Sequence, residues 1–222
     1  KFLPMWSLEF LADKFASDEE KKAMNSYLKS LYGPYMKKLG LEANTDMDQR
    51  DPTLAGDIRR KLVDLFAIIL KDPELRAALT ESAKKYAGFE SDAQIHQDAM
   101  NPELVSFALS VAVQELGLPF YNHLESLLAE TDNGTIRRRL LIGMSATVLP
   151  ELSTRLLDMV ISTDTRINEK AILIFGQLDM KETQDSAYAW VKDKYRVLAL
   201  ILPEQYLAYA PMVGSDFCSA SQ

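Results

Sequence analysis

Apolar residues recur at steps of three and four along almost the whole chain, which is the spacing of one face of an α-helix. Three clear stripes cover Met24 to Leu39, Ile58 to Ile69 and Leu104 to Val111. Gly40 and Gly117 follow the first and third stripes as C-terminal stop signals. Gly33-Pro34 predicts a kink or a break inside the first stripe. Strand signals are nearly absent, so the pattern predicts an all-α fold.

Three predicted helices begin with the same Pro-Glu-Leu sequence. They are Asp72-Pro-Glu-Leu75, Asn101-Pro-Glu-Leu104 and Leu149-Pro-Glu-Leu152. Proline suits the first helical position, where its missing N–H costs nothing, and glutamate there meets the positive end of the helix dipole. The spacing is too irregular for a strict repeat. We expect an irregular superhelical stack of antiparallel helix pairs, a HEAT/armadillo-like α-solenoid of about ten helices. Residues 41–52 and 89–99 are interpreted as loops, the second with a short irregular helix as the alternative, and no domain boundary is indicated.

Composition excludes several classes of protein. With 47% hydrophobic residues the chain can bury a sizeable core. A net charge of −7 disfavours binding to nucleic acid and to anionic membranes. No apolar run reaches the 18 residues of a bilayer span. A single cysteine, Cys218, allows no internal disulfide, so the compartment stays open between cytoplasm and periplasm or secretion.

Candidate catalytic and metal-binding groups are few. His96 and His123 are too far apart in sequence to form a zinc-binding pair on one helix, and Cys218 has no histidine beside it. Asp46, Asp48 and Asp51 lack the glycine and glutamate of a calcium loop, so we interpret them as a solvated acidic loop. No catalytic residue, metal ligand or cofactor is expected in this chain.

Two other groups of residues have structural interpretations. Arg137-Arg-Arg139 is interpreted as a salt-bridged, solvated helix face, with at least one arginine lying over apolar neighbours. Trp6 and Trp190 lie in helical stripes and are interpreted as core anchors.

The order of short motifs resembles that of a known family. The motifs are Phe2-Leu-Pro-Met-Trp6, Tyr27-Leu28, Leu39-Gly40, Leu118-Pro-Phe-Tyr121, Leu128-Ala-Glu-Thr-Asp132, Ile136-Arg-Arg-Arg-Leu-Leu141, Arg166-Ile-Asn-Glu169 and Ala189-Trp-Val-Lys192. In this order they resemble the C-terminal helical domain of the aminopeptidase N and endoplasmic-reticulum aminopeptidase-like family of zinc aminopeptidases. The details are most similar to bacterial or puromycin-sensitive-like members. One departure is Gln97, which stands where the family often has a proline.

The resemblance implies that residues 1–222 are one C-terminal helical domain, truncated at both ends and without its catalytic domain. The parent enzyme would remove N-terminal residues from peptides with a zinc ion in that catalytic domain. The helical domain would close the chamber over the active site and limit peptide access. Its partners would be its own catalytic domain and peptide substrates. Because a helical stack needs polar capping repeats, exposed ends would lead to a homodimer or to poor solubility.

Arg166, Asn168 and Glu169 are the residues that the resemblance places in the substrate chamber. The family has an arginine at the position of Arg166, commonly followed by Gln-Asp where this chain has Asn168-Glu169. The alternative is that Arg166 caps or bridges neighbouring helices through its fork of hydrogen bonds. An alternative for the whole chain is a free-standing helical-repeat module that binds a protein or peptide without enzymatic activity.

Overall fold

The structure is a computed structural model that describes residues 16–207, and this part of the chain is all helical, as predicted. The helices are α1 (Asp18–Leu39), α2 (Asp46–Arg50), α3 (Pro52–Val63), a π-helix (Asp64–Ile69), α4 (Pro73–Ala87), a 3-10 turn (Gln97–Ala99), α5 (Val105–Leu116), α6 (Leu118–Glu130), α7 (Gly134–Ser145), α8 (Pro150–Ile161), α9 (Ile167–Leu178), α10 (Gln184–Ile201) and α11 (Glu204–Leu207). No helix within residues 16–207 is both long and apolar enough to cross a bilayer.

The described residues form two compact units, which the sequence pattern did not indicate. The first runs up to Arg76 and includes Met100–Leu104, and the second comprises Ala77–Ala99 and the chain from Val105 onward. The division falls inside α4.

The first unit is built around one face of α1 and one face of α3. Its core side chains are Leu28, Tyr32, Leu39, Ala55, Leu62, Leu65 and Phe66. Helix α1 begins with a capping box, in which Ser17 and Glu20 satisfy each other's backbone N–H groups. It ends at Gly40, whose φ of 60° lies in the region that favours glycine.

The prediction at Gly33-Pro34 was a kink or a break, and helix α1 continues through Pro34 without a break. A proline ring normally collides with the Cβ atom of the preceding residue when that residue is helical. Gly33 has no Cβ atom, so this collision does not arise, although Pro34 still removes one backbone hydrogen-bond donor from the helix.

Residues 41–52 are more ordered than the predicted loop, since they contain α2. Thr45 and Asp48 form a capping box at its start, and Asp51 caps α3 by accepting the N–H of Leu54. Asp48 also accepts two bonds, of 2.8 and 2.9 Å, from the guanidinium of Arg59, which is only 1% exposed. The solvated interpretation is therefore wrong for Asp48, which is the partner of a buried arginine, whereas Asp46 and Asp51 are exposed.

The stripe from Ile58 to Ile69 is helical as predicted, but its second half is a π-helix. There the N–H of Leu70 bonds the carbonyl of Leu65, five residues back. The wider turn buries Leu65, Phe66 and Ala67. Arg76 donates to the carbonyl of Ala67 at 2.8 Å, so a side chain satisfies one acceptor of this irregular turn.

Helices α5 to α10 of the second unit form a stack in which each helix packs against the next and, for most, against the one after it. Helix α7 contacts α5, α6, α8 and α9, while α10 contacts α8 and α9. Helices α5 and α7 approach closely, since a Cβ atom on Gly143 would lie 2.6 Å from Cβ of Leu109.

The three Pro-Glu-Leu starts have different outcomes. Helices α4 and α8 begin at Pro73 and Pro150, as predicted. After Asn101 the chain forms a turn, and α5 begins only at Val105. Asn101 accepts the N–H of Glu103 and donates to the carbonyl of Leu41, so its amide is used to fix a turn rather than to start the helix directly.

We expect Asp48→Asn to lower the melting temperature at pH 7, and the difference from wild type to shrink as the pH falls. The Thr45 hydroxyl, and with it the Thr45 N–H and Arg59, lowers the pKa of Asp48 to about 2 against the effect of burial. A carboxyl whose pKa is depressed in the folded state stabilises the fold at pH values above its unfolded pKa of 3.8. This stabilisation is lost as the pH falls through the folded-state pKa. Thermal unfolding of the variant and wild type between pH 7 and pH 2 measures the difference in melting temperature. Asp46→Asn, which removes an exposed carboxylate from the same helix, is the control for charge. A pH-independent difference would contradict the assignment.

Candidate functional site

The three predicted chamber residues lie together at the start of α9, but they have different environments. Arg166 is the N-cap residue and is 42% exposed, and Asn168 in the first turn is exposed. Glu169, the third helical residue, is 3% exposed. Arg166 and Asn168 therefore face solvent, whereas Glu169 is part of the core.

Glu169 closes the N-terminus of α9. Its Oε2 atom accepts the backbone N–H of Arg166 at 3.1 Å, which satisfies one of the donors that a helix start leaves without a partner. The reciprocal half of a capping box is impossible here, because an arginine side chain carries only donors.

Arg137 on α7 holds Glu169 with a two-pronged ion pair. Its Nε and Nη2 atoms donate to the two carboxylate oxygens of Glu169 at 2.7 and 2.9 Å. Its Nη1 atom donates to the carbonyls of Leu128 and Thr131 at the end of α6. One arginine thus joins the C-terminus of α6 to the N-terminus of α9. The expectation of a salt bridge for Arg137-Arg-Arg139 is confirmed at Arg137, but this arginine is largely buried rather than solvated.

Charge and burial act in opposite directions on this pair. Burial opposes ionisation of Glu169, but the bonds from Arg137 and from the Arg166 backbone outweigh it and hold the pKa of Glu169 below its usual range. The same bond to Glu169 raises the pKa of Arg137. Both groups are therefore charged at neutral pH, as a bidentate guanidinium–carboxylate pair requires.

The guanidinium of Arg166 has a weaker set of partners. Its Nη2 atom donates to the carbonyl of Asp132 at 3.2 Å and to the Asp132 carboxylate at 3.4 Å. The Asp132 side chain is fully exposed. Arg166 therefore bridges the α6–α7 connection to α9, which agrees with the alternative role that sequence left open, and it keeps much of its guanidinium in solvent.

Two further polar residues of α9 were missed by the sequence analysis. Lys170 is buried, and its ammonium donates to the carbonyls of Val160 and Ser162 at the end of α8, the second at 2.7 Å. Gln177 is fully buried and donates to the carbonyls of Ser145 and Thr147 at the end of α7. Both lie in the buried stripe with Leu173 and Ile174, at steps of three and four. Their place in this stripe was the sequence signal that could have indicated their burial.

The other groups considered from sequence have structural partners. His123 contacts the carbonyl of Ala87 at 2.7 Å, which ends α4, and His96 contacts Asp92 at 2.9 Å. Trp190 is half-buried on α10. Trp6 and Cys218 lie outside the described residues. Within residues 16–207, no three His, Cys, Asp or Glu side chains come close enough to share a metal ion.

We expect Glu169→Gln to reduce the free energy of unfolding by about 3 kcal/mol, because it leaves the buried charge of Arg137 without its counterion. Arg166→Ala removes the exposed pair with Asp132 and a long contact of 3.9 Å between its Nε atom and Glu169, and it should cost about 0–1 kcal/mol. Urea denaturation of both variants at pH 7 measures the difference. Equal losses in the two variants would show that Glu169 is not the residue that holds this helix start.

The family model of the ERAP1-like C-terminal domain matches residues 5–222 of the chain. No curated protein sequence matches the chain. Because the family match spans nearly the whole chain, it confirms the resemblance in the motifs: the chain belongs to the ERAP1-like C-terminal domain family and is a domain of an aminopeptidase.

Proposed function

We propose that this chain is the C-terminal helical domain of a zinc aminopeptidase, where it closes the chamber over the active site and limits the access of peptides. The parent enzyme removes N-terminal residues from peptides. The observation that carries the proposal is the family match over residues 5–222. The partners of the domain are its own catalytic domain and the peptide substrate.

The zinc ion belongs, in this proposal, to the catalytic domain. Residues 16–207 do not fit a zinc site, since they hold no group of three suitable side chains and both histidines bind structural partners. A zinc ion bound elsewhere would supply an activated water for peptide hydrolysis. The contribution of this chain is to exclude bulk water and to position the peptide.

Arg166 and Asn168 are the residues that we assign to the peptide side of the chamber. Both are exposed at the start of α9, on either side of Ile167 in the sequence, which is 53% exposed. The buried Arg137–Glu169 pair fixes this start from below. A half-exposed guanidinium on a fixed backbone is suited to bind a carboxylate with two parallel hydrogen bonds. The exchange of Asp132 for a peptide carboxylate requires only the loss of two long, exposed bonds.

The activity of the parent protein tests the function. We expect a protein that contains this chain together with its catalytic domain to release N-terminal residues one at a time from peptides, as measured by mass spectrometry. The isolated chain, incubated with zinc and the same peptides, should leave them intact and bind no stoichiometric zinc. Cleavage by the isolated chain, or an inactive parent protein with zinc bound, would overturn the proposal.

Substitution of Arg166 in that full-length enzyme tests the site. We expect Arg166→Ala to lower kcat/KM for peptides of about ten residues by about tenfold, because it removes a hydrogen bond to a charged group. The kcat/KM of a single aminoacyl anilide, which is too short to reach this helix, should not change. Arg138→Ala, which removes an exposed arginine from α7, is the matched control. An equal loss for both substrates would instead indicate a general effect on folding or closure.

A further inference from the structure

Helix α1 presents a strip of apolar side chains on its surface. Tyr27, Leu31 and Tyr35 are 57%, 41% and 48% exposed, and Met24 is half-buried. At about 100° per residue these four lie within about 80° of one another, so they form one strip along the helix. We call this strip the outer face of α1. Isolated apolar side chains at a surface need no explanation, but a contiguous strip marks an interaction site.

The outer face of α1 has opposite charges at its two ends. Glu20 and Lys38 are 18 residues apart, which is about five full turns, so they lie on one line along the helix. That line passes within about 20° of Leu31, in the middle of the strip. Both charged side chains are exposed. The surface is therefore acidic at the start of α1, apolar in the middle and basic at the end.

The helix dipole accounts for the sign of these charges but not for the apolar strip between them. The first turn of α1 also holds Asp18 and Glu19, and the last turn also holds Lys37. Acidic residues near the start of a helix and basic residues near its end are stabilising in any helix. The exposed tyrosines and leucine between them add nothing to that effect, so they require a separate explanation.

A face with this distribution of charge is complementary to a second copy of itself in the antiparallel orientation. A two-fold axis level with about residue 29 places Lys38 of each copy opposite Glu20 of the other. The same register places Tyr27 level with Leu31 of the second copy, so the apolar strips overlap. A parallel pair would instead set acid against acid and base against base, which is repulsive.

We propose that the outer face of α1 is the contact between two copies of this chain, which pair as antiparallel helices about a two-fold axis. The contact lies along about 27 Å of helix, and an interface of one helix from each copy belongs to the small, weak class. We therefore expect monomer and dimer to exchange at micromolar concentrations. The proposal gives the homodimer expected from the sequence a specific surface, and it does not depend on the proposed enzymatic function.

Sedimentation equilibrium of the full chain tests the contact. We expect the apparent mass to rise toward that of a dimer between about 1 and 100 µM. Leu31→Glu places a charge at the centre of the contact in both copies and should raise the dissociation constant by about tenfold or more. Leu54→Glu changes another leucine of the same unit, on α3 and 47% exposed, and is the matched control. It should change the dissociation constant by less than about twofold.

Charge reversal tests the antiparallel orientation. Lys38→Glu sets two carboxylates against each other at both ends of the contact, so the dissociation constant should rise about fivefold at low salt and less at high salt. Glu20→Lys should weaken the dimer in the same way. An equimolar mixture of these two variants should associate as tightly as wild type, because each chain then meets the opposite charge on its partner. In a parallel pair, neither single reversal would weaken association.

The control for charge is Lys22→Glu, which makes the same change at an exposed position about 180° around the helix from Leu31. It should leave the dissociation constant unchanged within about twofold. Circular dichroism checks that each variant stays helical, and the charge reversals at exposed positions keep the test decisive if Leu31→Glu unfolds the chain.

Three results would contradict the proposal. One is a wild-type chain that stays monomeric up to about 100 µM, since the outer face would then have another occupant or none. Another is equal weakening by Leu31→Glu and Leu54→Glu, which would place the contact elsewhere. The third is equal weakening by Lys38→Glu and Lys22→Glu, or no recovery in the mixture, because association would then depend on net charge and not on this pairing of the helices.

Discussion

The carbonyl groups at the helix C-termini are the constraint on which this structure depends. An α-helix leaves its last carbonyls without intrahelical partners, and a buried acceptor without a hydrogen bond is costly. Here side chains from other helices satisfy them. Arg59 serves the end of α1, His123 the end of α4 and Arg137 the end of α6. Gln177 and Lys170 serve the ends of α7 and α8. These carbonyls belong to buried or half-buried residues, so water has little access to replace the bonds.

Within residues 16–207, helix α9 contributes more than any other helix to satisfying the C-terminal carbonyls of neighbouring helices. Glu169 binds the arginine that closes α6, Lys170 closes α8, and Gln177 closes α7. Its own end is served by the Thr183 hydroxyl, which donates to the carbonyl of Gln177. Burial lowers the pKa of Lys170, yet the two carbonyl acceptors compensate for part of the lost hydration. A helix fixed at so many points is a rigid support, and this is what a binding site at its N-terminus needs.

The position of the exposed residues follows from the buried ones. Arg166 has its backbone N–H bound by Glu169 and its guanidinium on Asp132, so its place is set before any ligand arrives. Asn168 is held out in solvent because the next residue, Glu169, has to point inward to Arg137. The residues that the family resemblance selected thus divide into a support and an exposed surface. Only the exposed pair, Arg166 and Asn168, has the access that a peptide contact requires.

The sequence alone determined the helices and the family. The stripes that became α1, α3 and α5, the stop at Gly40 and the start at Pro150 are local patterns, which depend on residues within one or two turns of each other. Only the tertiary structure decided which polar residues are buried. Asp48 is read from sequence as a solvated loop residue, and the sequence analysis did not single out Lys170 or Gln177. Their partners lie on other helices, up to 32 residues away in the chain. A polar side chain becomes part of the core only where a neighbouring helix brings an unsatisfied carbonyl or charge to it, and the local sequence does not identify that partner.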